Sequence, residues 1–179
     1  MSQADSNPYS GCGFLLVGMV AIAGAAWWSG LSPFQRISNP RHPAHAEVKT
    51  YVGTLNRAQQ AYYLEQTRLT DNIAALNIGI NPETKFFSYR ATLLSDWAVQ
   101  HSGIPKEAGF YSYIGLVWLV PIEGTTDEAA SDTIATTPNA MMCISETRTT
   151  TEPPEFQLPE WPITADTTIP CPEGYTLYN

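Results

Sequence analysis

The side chains able to do chemistry in this chain of 179 residues are few and widely spaced. Its histidines are His42, His45 and His101, and its cysteines are Cys12, Cys143 and Cys171. A zinc site asks for Cys or His ligands arriving in close pairs, and no C-x-x-C occurs. His42 and His45 would either contact one metal from a flexible stem or stand solvated beside Pro40 and Pro43. Asp96, His101 and Ser102 supply the residue types of a nucleophilic trio, yet nothing around the serine resembles a strained nucleophile turn. Asp127, Glu128 and Asp132 offer oxygens to calcium without the spacing of a binding loop, and a Gly-rich phosphate loop is missing. The expectation is a protein with no catalytic residues, no cofactor and no metal.

The cysteines carry more. Cys143 and Cys171 follow everything apolar in the N-terminal part and are separated by a stretch rich in Pro, Thr and Glu. They are either two free thiols or a disulfide. Joined, they would contribute roughly 3 to 4 kcal/mol by restricting the unfolded chain, and the bond would persist only in an oxidising compartment. Cys12 precedes the apolar run, the wrong order for a lipoprotein cleavage site, and reads as a free thiol close to a membrane.

What positions these residues is a chain in four parts. Residues 1–13 form a leader or tail without a base. Phe14 to Leu31, FLLVGMVAIAGAAWWSGL, are continuously apolar, and no charged side chain occurs from Ser6 through Gln35. At about 1.5 Å per residue such a helix reaches roughly 27 Å, near the thickness of the hydrocarbon layer, so membrane lipid is the expected partner of residues 14–31. A cleaved secretory signal would want a basic start and a shorter apolar core. Trp27 and Trp28 suit the headgroup level, and Ala21, Ala25 and Ser29 recur at a spacing that lets a second helix approach.

Residues 32–45 form a proline-containing stem, with Pro33, Pro40 and Pro43 interrupting any helix that leaves the membrane. Residues 46–179 are then long enough for one domain. Its charge is lopsided: the chain carries a net −8, and after Lys106 eleven acids face Arg148 alone. Direct nucleic-acid binding is not expected from such a surface. Arg36, Arg41, Lys49 and Arg57 follow the apolar run closely, so charge counting alone would put this domain in the cytoplasm, whereas a disulfide would require the opposite side.

Within the domain, Val48, Tyr51, Val52, Leu55, Ala58 and Tyr62 follow a helical rhythm from Ala44 to about Gln66, with Glu47, Lys49, Asn56, Arg57, Gln60 and Glu65 mainly off the stripe. Leu69, Ile73 and Leu76 predict a short helical turn, with Asp71 and Asn72 as turn or cap. Strands are expected over Lys85–Leu94, Tyr111–Pro121 and Ala140–Thr147, and Trp97–His101 is either a further strand or the end of the one before it. Gly124–Pro138 reads as an acidic loop. The six prolines from Pro153 to Pro172 predict an extended surface segment. The fold class is α+β, a helix packed on an antiparallel meander.

Glu47 to Leu94 resembles the type IV pilin-like proteins of the G and H pseudopilin, or minor pilin, class found in cyanobacteria. A helix ending in a GxxNRAQQAYYLE phrase is matched by Gly53, Asn56, Arg57, Ala58, Gln59, Gln60, Ala61, Tyr62, Tyr63, Leu64 and Glu65. The following elements are matched by Leu76, Ile78, Gly79, Ile80, Glu83, Thr84, Phe87 and Tyr89. The resemblance implies a pilin-like fold with an N-terminal transmembrane helix and a C-terminal loop closed by Cys143 and Cys171. It also implies a single-pass protein whose domain lies outside the cytoplasm, in periplasm, thylakoid lumen or at the cell surface.

Gly13 and Phe14 stand where such a prepilin is cleaved, but Gly18 occupies the position of the expected Glu, which neutralises a neighbouring amine in an apolar filament core. The functional expectation is a membrane-anchored structural or assembly protein, a minor pilin or pseudopilin-like subunit of a type IV pilus or secretion-type system, partnered by other membrane or pilin-like proteins. The alternative is a non-filament accessory subunit of a resident membrane complex that docks through its pilin-like domain. Aromatic residues beyond the needs of so small a core point to a partner surface, with Trp161 the leading candidate.

Overall fold

The computed structural model describes residues 43–122 and 135–178. The apolar run and the Gly13–Phe14 junction lie outside them, as do Cys12, His42, Asp127, Glu128 and Asp132. Among the described residues no helix is long and apolar enough to cross a membrane.

One long helix, α1 (Pro43–Gln66), opens the domain. It takes in residues 43–45, which the sequence suggested as stem. Proline is compatible with a first helical turn, where its missing N–H has no partner to lose, and Ala44 and His45 are already buried. Val48, Val52 and Leu55 form the buried stripe, with Tyr51, Ala58 and Tyr62 at its margins. The helix stops at Thr67, which turns left-handed at φ 53° while its N–H reaches the Tyr63 carbonyl at 2.7 Å. A 3-10 turn, Ile73–Leu76, follows, capped by Asn72 Oδ1 on the Ala74 N–H at 3.0 Å.

Five strands then run as an antiparallel meander in chain order: β1 (Phe87–Ser95), β2 (Ala98–Pro105), β3 (Tyr111–Pro121), β4 (Thr136–Arg148) and β5 (Tyr175–Leu177). Asp96 and Trp97 make the tight turn that separates β1 from β2, so the segment expected at Trp97–His101 lies, from Ala98 on, in a strand of its own that continues to Pro105. β4 begins at Thr136. Residues 136–138, expected in the loop, therefore pair with Leu119–Pro121 of β3. β5 had no signal in the sequence because three residues cannot display an alternation; it is held by pairing with Cys143–Ser145.

The sheet separates two cores. Toward α1 lie Phe87, Tyr89, Phe110 and Tyr113 with the helical stripe. On the far face lie Ala98, Ile114, Leu116, Trp118 and Val120, covered by Phe156, Ile163 and Ile169. Those last three belong to the proline-rich segment. It lacks regular structure, but it is a covering layer and not merely surface. A disulfide joins Cys143 of β4 to Cys171 at the end of this strap.

Candidate functional site

The residues of the long helical phrase form the join between α1 and the sheet. Asn56, expected on the polar side of the helix, is buried on the sheet side. Its Nδ2 donates to the Met141 carbonyl of β4 at 2.9 Å, and its Oδ1 lies 2.8 Å from His101 Nδ1 of β2. It fits there because Gly115 of β3 has no side chain: a Cβ at that position would sit 2.3 Å from Asn56 Oδ1. About two turns nearer the helix start, Gly103 plays the same part, since a Cβ there would meet Val48 at 2.4 Å. Glycine within a strand is an available sequence signal for close approach of another element; these two positions and His101 were missed as a unit.

Gln59 is fully buried, and its amide pairs with both the N–H and the carbonyl of Thr70, each at 2.9 Å. That bond pair folds the segment after α1 back onto the helix. Gln60 Nε2 donates to the Pro138 carbonyl at 3.2 Å, and the Tyr63 hydroxyl is hydrogen-bonded to Thr136 Oγ1. Both contacts lie on β4 beyond the reach of β5. There Pro138 has no N–H, its carbonyl is occupied by Gln60, and the Ala140 N–H is taken by Asn139 Oδ1 at 3.0 Å. A proline and occupied groups of this kind blunt an edge against further strand pairing. Arg57 and Glu65 remain exposed, with Arg57 reaching Thr54 Oγ1 at 3.4 Å, and Tyr62 is half-buried against the main core.

The second phrase makes a hook at the other end of the helix. Glu47 accepts from Thr84 Oγ1 at 2.6 Å and from the Tyr89 hydroxyl at 3.1 Å, while Thr84 caps the start of β1 through the Phe87 N–H. Burial, followed by the neighbouring Glu47 carboxylate, pushes the Tyr89 phenol far up, so it is a fixed donor. Glu83 pairs with Lys106 at 2.5 Å and accepts from Ser88 at 2.9 Å; these bonds hold its carboxyl below the usual range.

The trio of Asp96, His101 and Ser102 does not assemble. His101 faces α1. Ser102, the next residue in the strand, faces the strap, where Gln100 Nε2 donates to its Oγ at 3.2 Å, and Asp96 sits in the turn at the end of the sheet. His45 packs its ring 5.4 Å from that of Phe110 and 5.7 Å from that of Tyr111. Among the described residues no group of three or more His, Cys, Asp or Glu gathers as a metal site.

Two surfaces could meet a partner. At the end of the sheet where α1 stops, Leu64, Leu93, Ile122 and Trp161 are exposed, and Trp161 stacks 5.2 Å from Trp97. Register and contacts bring them to this end: Leu93 lies across from Val99, Ile122 bonds Ala135, and Leu119 bonds the Trp97 carbonyl. The other surface is an apolar-walled groove of about 500 Å³ beside the disulfide, lined by Trp118, Met141, Ile169, Cys171, Tyr175 and Leu177 among others. A family model described as type IV pilin-like G and H matches residues 45–172, which span α1, the first four strands and the strap. No curated protein and no solved structure matches the chain.

Proposed function

The chain belongs to the type IV pilin-like G and H family, and from that premise we propose that it is a membrane-anchored pilin-like structural subunit or assembly factor of a type IV pilus or secretion-type system. The observation that carries this is the match of residues 45–172 to a domain in which Asn56, Gln59 and Gln60 of α1 spend their amides inside the fold. The phrase residues hold the helix to the sheet and leave no assembled catalytic group among the described residues. What remains for function is surface: the outward side of α1 and the exposed apolar residues at its end.

The anchor is the apolar stretch at residues 14–31, and the disulfide supports a domain on the oxidising side of that membrane. A second reading is favoured by Gly18 in place of the neutralising Glu and by the prolines at 33, 40 and 43. In it the protein is an accessory subunit of a resident membrane complex and does not enter a filament.

The test is to tag the full chain at its C-terminus, shear surface filaments from the cells, and compare the sheared and membrane fractions. Recovery in filaments as a species lacking residues 1–13 supports the subunit reading. Retention of the uncleaved chain in one detergent-stable assembly of fixed composition, with normal pili and secretion after deletion of the gene, would transfer the protein to the second reading.

A further inference from the structure

His101 lies mid-strand in β2 on the face that α1 covers, with none of its surface exposed. Asn56 fixes its protonation pattern. Because Asn56 Nδ2 donates to the Met141 carbonyl, Asn56 Oδ1 is the acceptor, and the imidazole nitrogen facing it, Nδ1, must carry the hydrogen. A neutral ring has one such hydrogen, so Nε2 is a bare lone pair. That atom is buried and has no hydrogen-bond partner among the described residues.

Among the described residues the surroundings offer nothing to stabilise a charge. In register with His101 stand Ala91 on β1 and Gly115 on β3; Met142 of β4 pairs with Gly115. On α1 the facing residue is Asn56, and no ionisable side chain lies between Val52 and Gln59 except the outward-facing Arg57. The titratable groups nearest along the same sheet face are the phenols of Tyr89 and Tyr113, both pushed up by burial and so neutral.

We propose that His101 is an acid-sensitive latch: as the neutral Nδ1–H tautomer it holds Asn56, and through it α1, against β2 and β4, and a proton added at Nε2, with no acceptor in reach, releases the helix from the sheet. Burial alone lowers the ring's pKa from 6.5 to about 3 in the folded domain. The unfolded chain therefore binds more protons than the folded one between those values. Stability from this group is complete above pH 6.5 and falls as pH drops, the folding equilibrium constant losing about tenfold per unit until about pH 3.

The experiment uses the full chain in detergent micelles, comparing it with His101→Gln, which keeps an N–H near Asn56 but cannot be protonated. Imidazole ¹⁵N shifts should show His101, identified by its loss in the variant, as an Nδ1–H tautomer that stays neutral down to about pH 4.5. Denaturant titrations from about pH 7.5 to 4.5 should show the variant losing stability less steeply, by about one proton's worth of slope. Should His101→Gln fail to fold, the shifts of the unaltered chain decide. An Nε2–H tautomer, a His101 that titrates near 6.5 in the folded chain, or equal slopes for the two proteins would overturn the proposal.

Discussion

One sheet is covered twice, by different physics. On the α1 side the cover is a regular element whose apolar stripe is tuned by buried amides: Asn56, Gln59 and Gln60 each find a backbone or ring partner. On the strap side the cover has six prolines between 153 and 172 and no regular structure, and it is held at separate points. Phe156, Ile163 and Ile169 plug the face. Gln100 acts as its template, Oε1 accepting from the Phe156 N–H at 3.1 Å and Nε2 donating to the Pro154 carbonyl at 3.3 Å. Arg90 and Glu152 make an exposed pair at 3.2 Å, and the disulfide closes the end. A helix satisfies its own backbone and needs only side-chain complementarity to dock, whereas a proline-rich strap has lost donors and needs a covalent tie. The α1 side should accordingly be uniformly protected, and the strap should open in pieces.

The sharpest way to break this contrast is to remove the disulfide. Replacing Cys143 and Cys171 together by Ala should lower stability by about 3 to 4 kcal/mol. Hydrogen exchange should rise first across 153–172 while the amides of α1 stay protected; equal loss on both faces would show that the two covers are one cooperative unit. On the helix side, Gly115→Ala puts a methyl where Asn56 Oδ1 sits, so the amide must leave His101 and Met141 or the helix must shift. A loss of about 2 kcal/mol in denaturant titrations is expected, with β2, β3 and α1 exchanging faster and the strap unaffected.

Smaller effects sharpen the picture at the exposed ends. Trp161→Ala removes half of the ring pair with Trp97, and since Trp161 is already 37 % exposed the stability change should stay within about 1 kcal/mol. A much larger fall would make Trp161 a structural plug of the strap instead of a residue available to a partner. The smallest change is expected for Glu83→Gln. Its carboxyl is held low by Lys106 and Ser88, so the contribution is present above the ordinary pKa of 4.5 and lost as pH falls through the lowered folded value. Melting curves of the variant and the parent should therefore differ slightly at neutral pH and converge in acid; divergence in acid would reverse the sign of this pair.

The helix side was the legible one. The stripe of Val48, Val52 and Leu55 announces α1 because burial repeats with the helical period, and Asn72 marks the 3-10 turn because its short side chain can reach the amide two residues on. What periodicity mis-sorted were the amides. Asn56 and Gln60 look like solvent-facing residues, since nothing local reveals that Gly115 leaves a vacancy above the sheet or that Pro138 presents a carbonyl at the edge. His101 and Ser102, adjacent in sequence and inviting a common role, belong to opposite faces because a strand alternates. On the strap side the prolines correctly excluded helix and strand, yet they could not show that Phe156, Ile163 and Ile169 turn inward.

By itself the sequence determined what depends on neighbours along the chain: an uncharged apolar stretch at 14–31, one amphipathic helix, most of the strands and the phrase that marks the family. The tertiary structure alone decided how β5 pairs, which face of the sheet each cover occupies, and that the family phrase is a set of ties between helix and sheet; the Cys143–Cys171 bond is the one the family resemblance implied. The physical reason is range. Periodicity is set by backbone geometry within a few residues, whereas Asn56 meets Met141 and Gln100 meets Phe156 only after the chain has closed on itself.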